Sequence, residues 1–256
     1  MKYWMPFIGK PMSKLLLLQP ADSRPRLLAT LTEAGIAFCQ HSFIDIEPVP
    51  DIVADLSDAD AVIWVSKNAV YFANQARVLL PEDVRMYAVG PGTAKRACIA
   101  FNRPCQCPAT VHSSESLLHF SELQQLTGQH WYIVKGVGGR ELLADSLRAR
   151  GASVTSLIVY ERRKKPLNNP GIVQDWMQHV DKIAVSSAEQ LSYFLSELPQ
   201  QAETWLRHCH WIVPSARLAA LIPFATNNTI TITQSASENA MIRALTDHGN
   251  DYDRRK

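Results

Sequence analysis

The sequence lacks the features that would place it in several common classes of protein. Its 256 residues include 26 basic and 24 acidic side chains, so no broad basic surface for nucleic acid is indicated. Long apolar runs are missing too. Residues 3–8 form too short a run for a signal peptide or a membrane span, and Pro6 interrupts it. We therefore expect no nucleic-acid partner and no membrane association, and we interpret residues 1–12 as a leader without a role in the core.

Cysteine is scarce and poorly spaced for a structural role. Of the five cysteines only Cys105 and Cys107 are close together, which fits neither a disulfide framework nor a zinc site. His208-Cys209-His210 is the stretch most like a metal motif, but alternate residues of a strand face opposite ways, so the three side chains do not converge. We expect no metal site and a reducing, cytoplasmic location.

Recognised catalytic motifs are also missing. There is no G-x-S-x-G elbow with a Ser-His-Asp order, no H-E-x-x-H and no motif of paired carboxylates. The histidines are scattered, and we interpret them as surface or packing residues. Two possibilities stay open: the protein only binds a ligand, or its chemistry depends more on positioning than on strong acid–base groups.

Short apolar strands alternate with amphipathic helices along the chain. Strands are predicted at residues 15–18, 38–46, 61–65, 86–89, 131–135 and 154–160, and a helix is predicted to begin at residues 113–115 and to run through Leu123. This alternation predicts an α/β protein with parallel sheets.

The same pattern occurs twice. Residues 131–164 align with residues 15–48, residues 60–66 with 181–187, and residues 87–93 with 211–215. Such self-similarity predicts two doubly wound parallel-sheet domains of similar plan, about 120 residues apart in the chain. By the repeat alone the division would fall near Gly128. Between two such lobes we expect a cleft that holds a ligand.

Several predicted strands end in glycine or a hydroxyl residue. A turn with Gly136, Gly138 and Gly139 joins a strand to a helix, which is a ready arrangement for binding an anion. Similar strand ends carry Ser66, Gly90, Thr93, Ser186, Ser187 and Ser215. Each could simply cap a helix, but together they would form a wall of N–H and O–H donors suited to carboxylates or phosphates.

Seven motifs follow one another in a characteristic order: Ser66-x-Asn68-Ala69-Val70, Val89-Gly-Pro-x-Thr93-Ala94, Gly136-x-Gly138-Gly139-Arg140-x-x-Leu143, Gly151-Ala-x-Val154, Val159-Tyr160-x-Arg162, Val185-Ser-Ser187 and Pro214-Ser215-x-Arg217-Leu218-Ala219. By these motifs the chain resembles the uroporphyrinogen-III synthase family, from about residue 15 to residue 245. The resemblance adds Asn68, Lys135 and Arg140 to the residues expected to bind substrate. Lys135 stands where the family often has arginine. The positive charge is kept, but a lysine cannot make the two parallel hydrogen bonds with a carboxylate that a guanidinium group makes.

The resemblance implies a function. The family closes the linear tetrapyrrole hydroxymethylbilane to uroporphyrinogen III in heme biosynthesis, with loss of water and inversion of the last ring, without cofactor or metal. Tyr160 matches the tyrosine proposed to help the hydroxyl group leave, and a protonated phenol can donate to a departing oxygen. Alternatively, Tyr160 is a tyrosine of a β-strand that packs at the edge of a domain and has no catalytic role. We expect a monomer that acts on this polycarboxylate small molecule.

The resemblance also implies a discontinuous domain division. Domain 1 would comprise residues 13–46 and 168–250, domain 2 residues 51–160, and a two-stranded linker residues 47–50 and 161–167, with residues 251–256 as a tail. Two other functions stay open: a two-lobed small-molecule binding protein without catalysis, and a nucleotide-sugar transferase of two doubly wound domains.

Overall fold

The protein is described by a computed structural model. The structure describes residues 13–20, 23–52, 55–139, 141–169, 171–223, 229–233, 235 and 237–247. The chain divides into two compact units. Unit 1 comprises residues 1–45 and 164–256, and unit 2 comprises residues 46–163. The leader predicted at residues 1–12 and the tail at 251–256 lie outside the described residues.

Each unit is built on one sheet. The strands are β1 (Lys14–Leu18), β2 (Phe38–His41), β3 (Ile44–Pro48), β4 (Ala61–Trp64), β5 (Arg85–Ala88), β6 (Cys105–Gln106), β7 (His130–Gly136), β8 (Ser153–Lys164), β9 (Val180–Val185), β10 (His210–Val213) and β11 (Ile230–Ile232). Unit 1 has the strand order β11-β10-β9-β1-β2, and the second sheet has the order β3-β8-β7-β4-β5-β6. Apart from β3 beside β8, the neighbouring strands pair in parallel.

The two sheets follow one plan, as the repeat predicts. If β9, β10 and β11 are matched to β4, β5 and β6, and β1 and β2 to β7 and β8, the order of five strands is the same in both. In each unit the strand that begins one sequence repeat pairs with a strand of the other repeat: β1 with β9, and β7 with β4. The prediction of two parallel-sheet domains of similar plan is therefore confirmed.

Helices cover both faces of each sheet. They are α1 (Pro25–Glu33), α2 (Lys67–Gln75), α3 (Pro91–Phe101), α4 (Ser114–Leu117), α5 (Leu142–Ala149), α6 (Gly171–His179), α7 (Ala188–Glu197), α8 (Glu203–His208), α9 (Ala216–Ala219) and α10 (Glu238–Asp247). Several of them begin at serines whose side chains accept from a backbone N–H of the first turn: Ser66, Ser113, Ser187, Ser215 and Ser237. Caps of this kind stabilise a helix by about 1 kcal/mol each.

Each sheet is buried on both faces, because its central strands carry apolar side chains on both sides. In β1, Leu16 and Leu18 pack into one cluster of unit 1 while Leu15 and Leu17 pack into the other. In unit 2, Trp64 joins the cluster under α2 and α3, and Ile63 joins the cluster under α5. A parallel sheet buried on both faces needs continuous apolar strands rather than alternating ones, which is the pattern in the sequence.

Two predicted elements are wrong. The strand predicted over residues 38–46 is two strands: β2 lies in the sheet of unit 1 and β3 beside β8 in the other sheet. The break falls at Ser42, whose hydroxyl group donates to Ile44 O and accepts from Ile44 N. The helix predicted through Leu123 ends at Leu117, and a separate 3₁₀ turn spans Ser121–Leu123.

The segments predicted as linkers take part in strands. Glu47 and Pro48 belong to β3, and residues 161–164 belong to β8. Glu47 and Glu161 both contact the guanidinium group of Arg163. The chain passes from one unit to the other within β3 and again near the end of β8.

Candidate functional site

A pocket of about 390 Å³, lined by both polar and apolar side chains, lies within unit 2 at the carboxyl ends of its parallel strands. This is the usual position of ligands in open α/β sheets. The ends of β4, β5, β7 and β8 and the starts of α4 and α5 provide its lining, which consists of Val65, Ser66, Val89, Ser113, Ser114, Glu115, Ile133, Lys135, Gly136, Val137, Gly138, Gly139, Glu141, Leu143, Ala144, Ser156, Tyr160 and Arg162.

A β-bulge aims Tyr160 at this pocket. Lys135 pairs with Ile158 but Gly136 pairs with Tyr160, so Val159 is an extra residue in β8. Bulges of this kind redirect side chains and are frequent next to functional sites. Because of the bulge, Val159 and Tyr160 both belong to the apolar cluster under α2 and α3, although neighbouring residues of a regular strand point to opposite faces of the sheet.

The ring of Tyr160 is held tightly in place. It stacks on Phe72, with 5.8 Å between ring centroids, and only 4% of the residue is exposed. Gly136 allows this position, because a Cβ atom there would lie 2.6 Å from two ring carbons of Tyr160. A glycine in β7 is therefore required by close approach, not by backbone conformation.

The phenolic oxygen of Tyr160 has one partner in the lining. It lies 3.1 Å from Oγ of Ser66, and either hydroxyl group can be the donor. Ser66 Oγ also accepts from the backbone N–H of Ala69 at 3.0 Å, which caps α2. Because Ser66 already accepts this bond, it can donate its own proton to Tyr160, leaving the phenolic proton free.

Lys135 brings a buried positive charge into the pocket. The residue is 9% exposed, and its ammonium group donates to Glu141 Oε1 at 2.5 Å. The side chain of Glu141 is 54% exposed. The hydrogen bond and the charge of Lys135 lower the pKa of Glu141 below its ordinary value. Between them, Gly138 and Gly139 adopt φ of +76° and +94°, a region that suits glycine.

The structure brings together six of the residues predicted for the site: Ser66, Lys135, Gly136, Gly138, Gly139 and Tyr160. Asn68, Gly90 and Thr93 lie at the starts of α2 and α3 and outside the pocket lining. Ser187 and Ser215 cap helices of unit 1, and Ser186 follows β9 in that unit. Arg140 lies outside the described residues.

Other lining residues were not predicted as site residues. Ser113, Ser114 and Glu115 come from the start of α4, and Ser156 from β8. Glu141 and Arg162 both lie within motifs that carry the family resemblance, so these motifs could have marked them as candidates. Ser156 gave none, because a serine inside a predicted strand has no distinctive neighbours.

The fold and this pocket define a class of protein: a two-unit α/β protein whose pocket presents hydroxyl groups, glycine turns and a buried ammonium group. A family model described as uroporphyrinogen-III synthase HemD matches residues 25–243. The uroporphyrinogen-III synthases of Escherichia coli and Salmonella typhimurium are each 30% identical over 243 residues, spanning 90% of this chain and 99% of each relative. The chain belongs to the uroporphyrinogen-III synthase family.

Solved structures share the fold. The uroporphyrinogen-III synthetase of Helicobacter pylori matches with a TM-score of 0.63 and 13% identity, over 93% of this chain and 100% of that one. A mutant uroporphyrinogen III synthase of Thermus thermophilus matches with a TM-score of 0.54 and 17% identity, over 92% and 98%. In the described part of the chain, no helix is long and apolar enough to cross a membrane.

Proposed function

We propose that this chain is a hydro-lyase that closes hydroxymethylbilane to uroporphyrinogen III, with loss of water and inversion of the last ring, in heme biosynthesis. Membership of the family supports the reaction. The hydroxyl pair of Ser66 and Tyr160 is the observation that carries the assignment of the reacting end of the substrate to the pocket of unit 2. A pocket of about 390 Å³ is at the small end of ligand sites, so it suits part of a tetrapyrrole rather than all of it.

Tyr160 is the proposed proton donor. When the C–O bond of the hydroxymethyl group breaks, the phenolic proton goes to the departing oxygen, which leaves as water. The pyrrole ring supplies the electrons that break the C–O bond, which gives an azafulvenium cation and leaves Tyr160 as a phenolate. The pyrrole N–H proton then returns to the phenolate by way of solvent, so the products are water, an azafulvene and the neutral phenol. The protein then holds the chain in the pose that favours closure, which requires positioning more than strong acid–base groups.

We propose that the other residues predicted from the sequence to bind substrate hold its carboxylates. In unit 2 these are the glycines at positions 136, 138 and 139, with Lys135 and Arg140, and the starts of α2 and α3 with Asn68, Gly90 and Thr93. In unit 1 they are Ser186, Ser187 and Ser215. Backbone N–H groups in the first turn of a helix lack partners in the helix and favour anions, so they suit acetate and propionate groups.

Other properties are proposed with the activity. The five free cysteines favour a reducing, cytoplasmic location. We assign the domains to residues 13–46 with 168–250 and to residues 51–160, and the division of the chain at residues 45/46 and 163/164 supports these limits. We further propose that the protein works as a monomer without a cofactor.

The test is to give purified protein fresh hydroxymethylbilane, oxidise the products and separate uroporphyrin isomers I and III. Isomer III above the level of a control without protein would establish the reaction. Isomer I alone, from folded protein, would contradict it and favour a two-lobed protein that binds a small molecule without catalysis.

A further inference from the structure

Lys135 and Glu141 form an ion pair whose two charges differ in exposure. Lys135 follows Val134 and precedes Gly136, all buried in β7, and only 11% of the lysine side chain is exposed. The Glu141 side chain is 54% exposed, and both residues line the pocket of unit 2. The cation therefore belongs to the protein interior, while the anion stands at the border with solvent.

The two partners differ in what separation would cost them. A buried ammonium group without a partner is strongly disfavoured, because the interior does not replace its hydration. A carboxylate that is already half exposed returns to water with little loss. Lys135 thus requires an anion at this position, but it does not require that anion to be Glu141.

The glycine turn between the partners, at residues 136–139, can accommodate such an exchange. Gly138 and Gly139 lie between them, and no atom of the described residues lies within 4 Å of a Cβ atom built at either position. Both are exposed, as is Val137 at 59%. A turn of exposed glycines surrounded by open space can change its backbone angles without displacing packed side chains.

We propose that Glu141 is a resident carboxylate that occupies the anion position on Lys135, and that a carboxylate of the substrate displaces it on binding. The exchange leaves the charge of the buried pair unchanged, so the position accepts carboxylates and rejects neutral or cationic groups. Glu141 is then a residue that sets specificity and competes with the substrate. This inference rests on the proposed function for the identity of the ligand, but not for the exchange itself.

The exchange can be measured without turnover. The probe is mellitate, benzenehexacarboxylate, and its affinity is determined by titration calorimetry for the wild-type chain, for Glu141→Gln, for Lys135→Gln and for the double variant. A glutamine keeps the size of the side chain but gives the ammonium a weaker, neutral partner. We expect Glu141→Gln to bind mellitate about three- to tenfold more tightly, since a charged hydrogen bond exceeds a neutral one by roughly that factor.

Two comparisons separate this mechanism from a general loss of negative charge. Asp145→Asn also removes one negative charge, from a residue of α5 that is exposed and pairs with Arg148. Its affinity for mellitate should stay within about twofold of the wild-type affinity. In the Lys135→Gln background, Glu141→Gln should no longer tighten binding, because the two substitutions act on one contact. An equal gain in that background, or no gain in Glu141→Gln alone, would overturn the inference.

The enzymatic assay provides a second readout. In Glu141→Gln the KM for hydroxymethylbilane should fall by a larger factor than kcat changes, and an unchanged or higher KM would count against the exchange. If the wild-type chain forms no isomer III, the proposed function fails, and the mellitate affinities still decide whether Glu141 competes for Lys135.

Discussion

The hydroxyl oxygen of Ser66 lies 3.1 Å from the phenolic oxygen of Tyr160, although the two residues are 94 positions apart in the chain. Ser66 caps α2 through Ala69, and Tyr160 follows a bulge in β8. A chain of donors therefore runs from the backbone of α2 through Ser66 to Tyr160, and hydrogen bonds in such chains strengthen one another. In the proposed mechanism this arrangement directs the phenolic proton into the pocket.

Removing the phenol tests the proposed proton donor. Tyr160→Phe should lower kcat by about 10- to 100-fold and should not abolish turnover, because substrate reactivity supplies part of the driving force. The measurement is the rate of isomer III formation at saturating hydroxymethylbilane. Tyr132→Phe removes the same group from a tyrosine whose hydroxyl donates to Asp58, and it should retain the wild-type kcat. Full activity in Tyr160→Phe would remove Tyr160 from the mechanism.

Ser66 is expected to position Tyr160 as well as to cap α2. Ser66→Ala should lower the free energy of unfolding by about 1 kcal/mol through the lost cap and should also lower kcat several-fold. Ser66→Thr keeps the hydroxyl group and should restore most of both. Ser237→Ala is the matched control, because Ser237 Oγ accepts from Ala240 N in the same way at the start of α10. It should lose similar stability without loss of kcat, and a parallel loss of kcat would show that capping alone explains Ser66.

Gly136 should tolerate no side chain. In Gly136→Ala the new Cβ would lie 2.6 Å from the ring of Tyr160, so the ring must move. We expect a loss of about 1–3 kcal/mol in unfolding free energy, typical of overpacking, together with a fall in kcat. The control is Gly35→Ala in unit 1, where φ is +66° and no atom of the described chain lies within 4 Å of the added Cβ. It should cost about 1 kcal/mol by backbone strain and leave kcat unchanged.

The pair of Asp58 and Tyr132 predicts a stability that depends on pH at both extremes. The hydrogen bond from Tyr132 is the main cause that lowers the pKa of Asp58. A carboxyl whose pKa is lower in the folded state stabilises the fold above its unfolded pKa, and this contribution is lost as the pH falls through the folded value. Burial, followed by the hydrogen bond to Asp58, raises the pKa of Tyr132 to about 12. Its contribution is present below pH 10 and is lost as the pH rises towards 12.

Denaturant unfolding at a series of pH values checks this dependence. Tyr132→Phe should flatten the stability profile between pH 10 and 12 and should also weaken the acid dependence, because Asp58 loses its main partner. Tyr193→Phe, a half-buried tyrosine of α7 in unit 1, serves as the control. A profile of Tyr132→Phe that parallels the wild type at both ends would contradict the assignment.

Much of the architecture followed from local pattern. The apolar runs of β1, β4, β7 and β9 and the capping serines at positions 66, 187 and 215 were recognisable because strands buried on both faces and helix caps have strong local signatures. The repeat predicted two sheets of one plan, and both sheets have the matching strand order. The prediction was wrong where β2 and β3 meet, because one apolar stretch serves two sheets and nothing local marks the change at Ser42.

The sequence by itself therefore determined the class of fold, the repeat and the residue types that end each strand. Only the tertiary structure decided which of those ends share a pocket. The bulge at Val159, the approach of Gly136 to Tyr160 and the contact of Ser66 with Tyr160 depend on strand register between distant segments. The pairing of Lys135 with Glu141 depends on the fold of the glycine turn. Register and turn geometry are set by the packing of whole elements, so no local pattern specifies them.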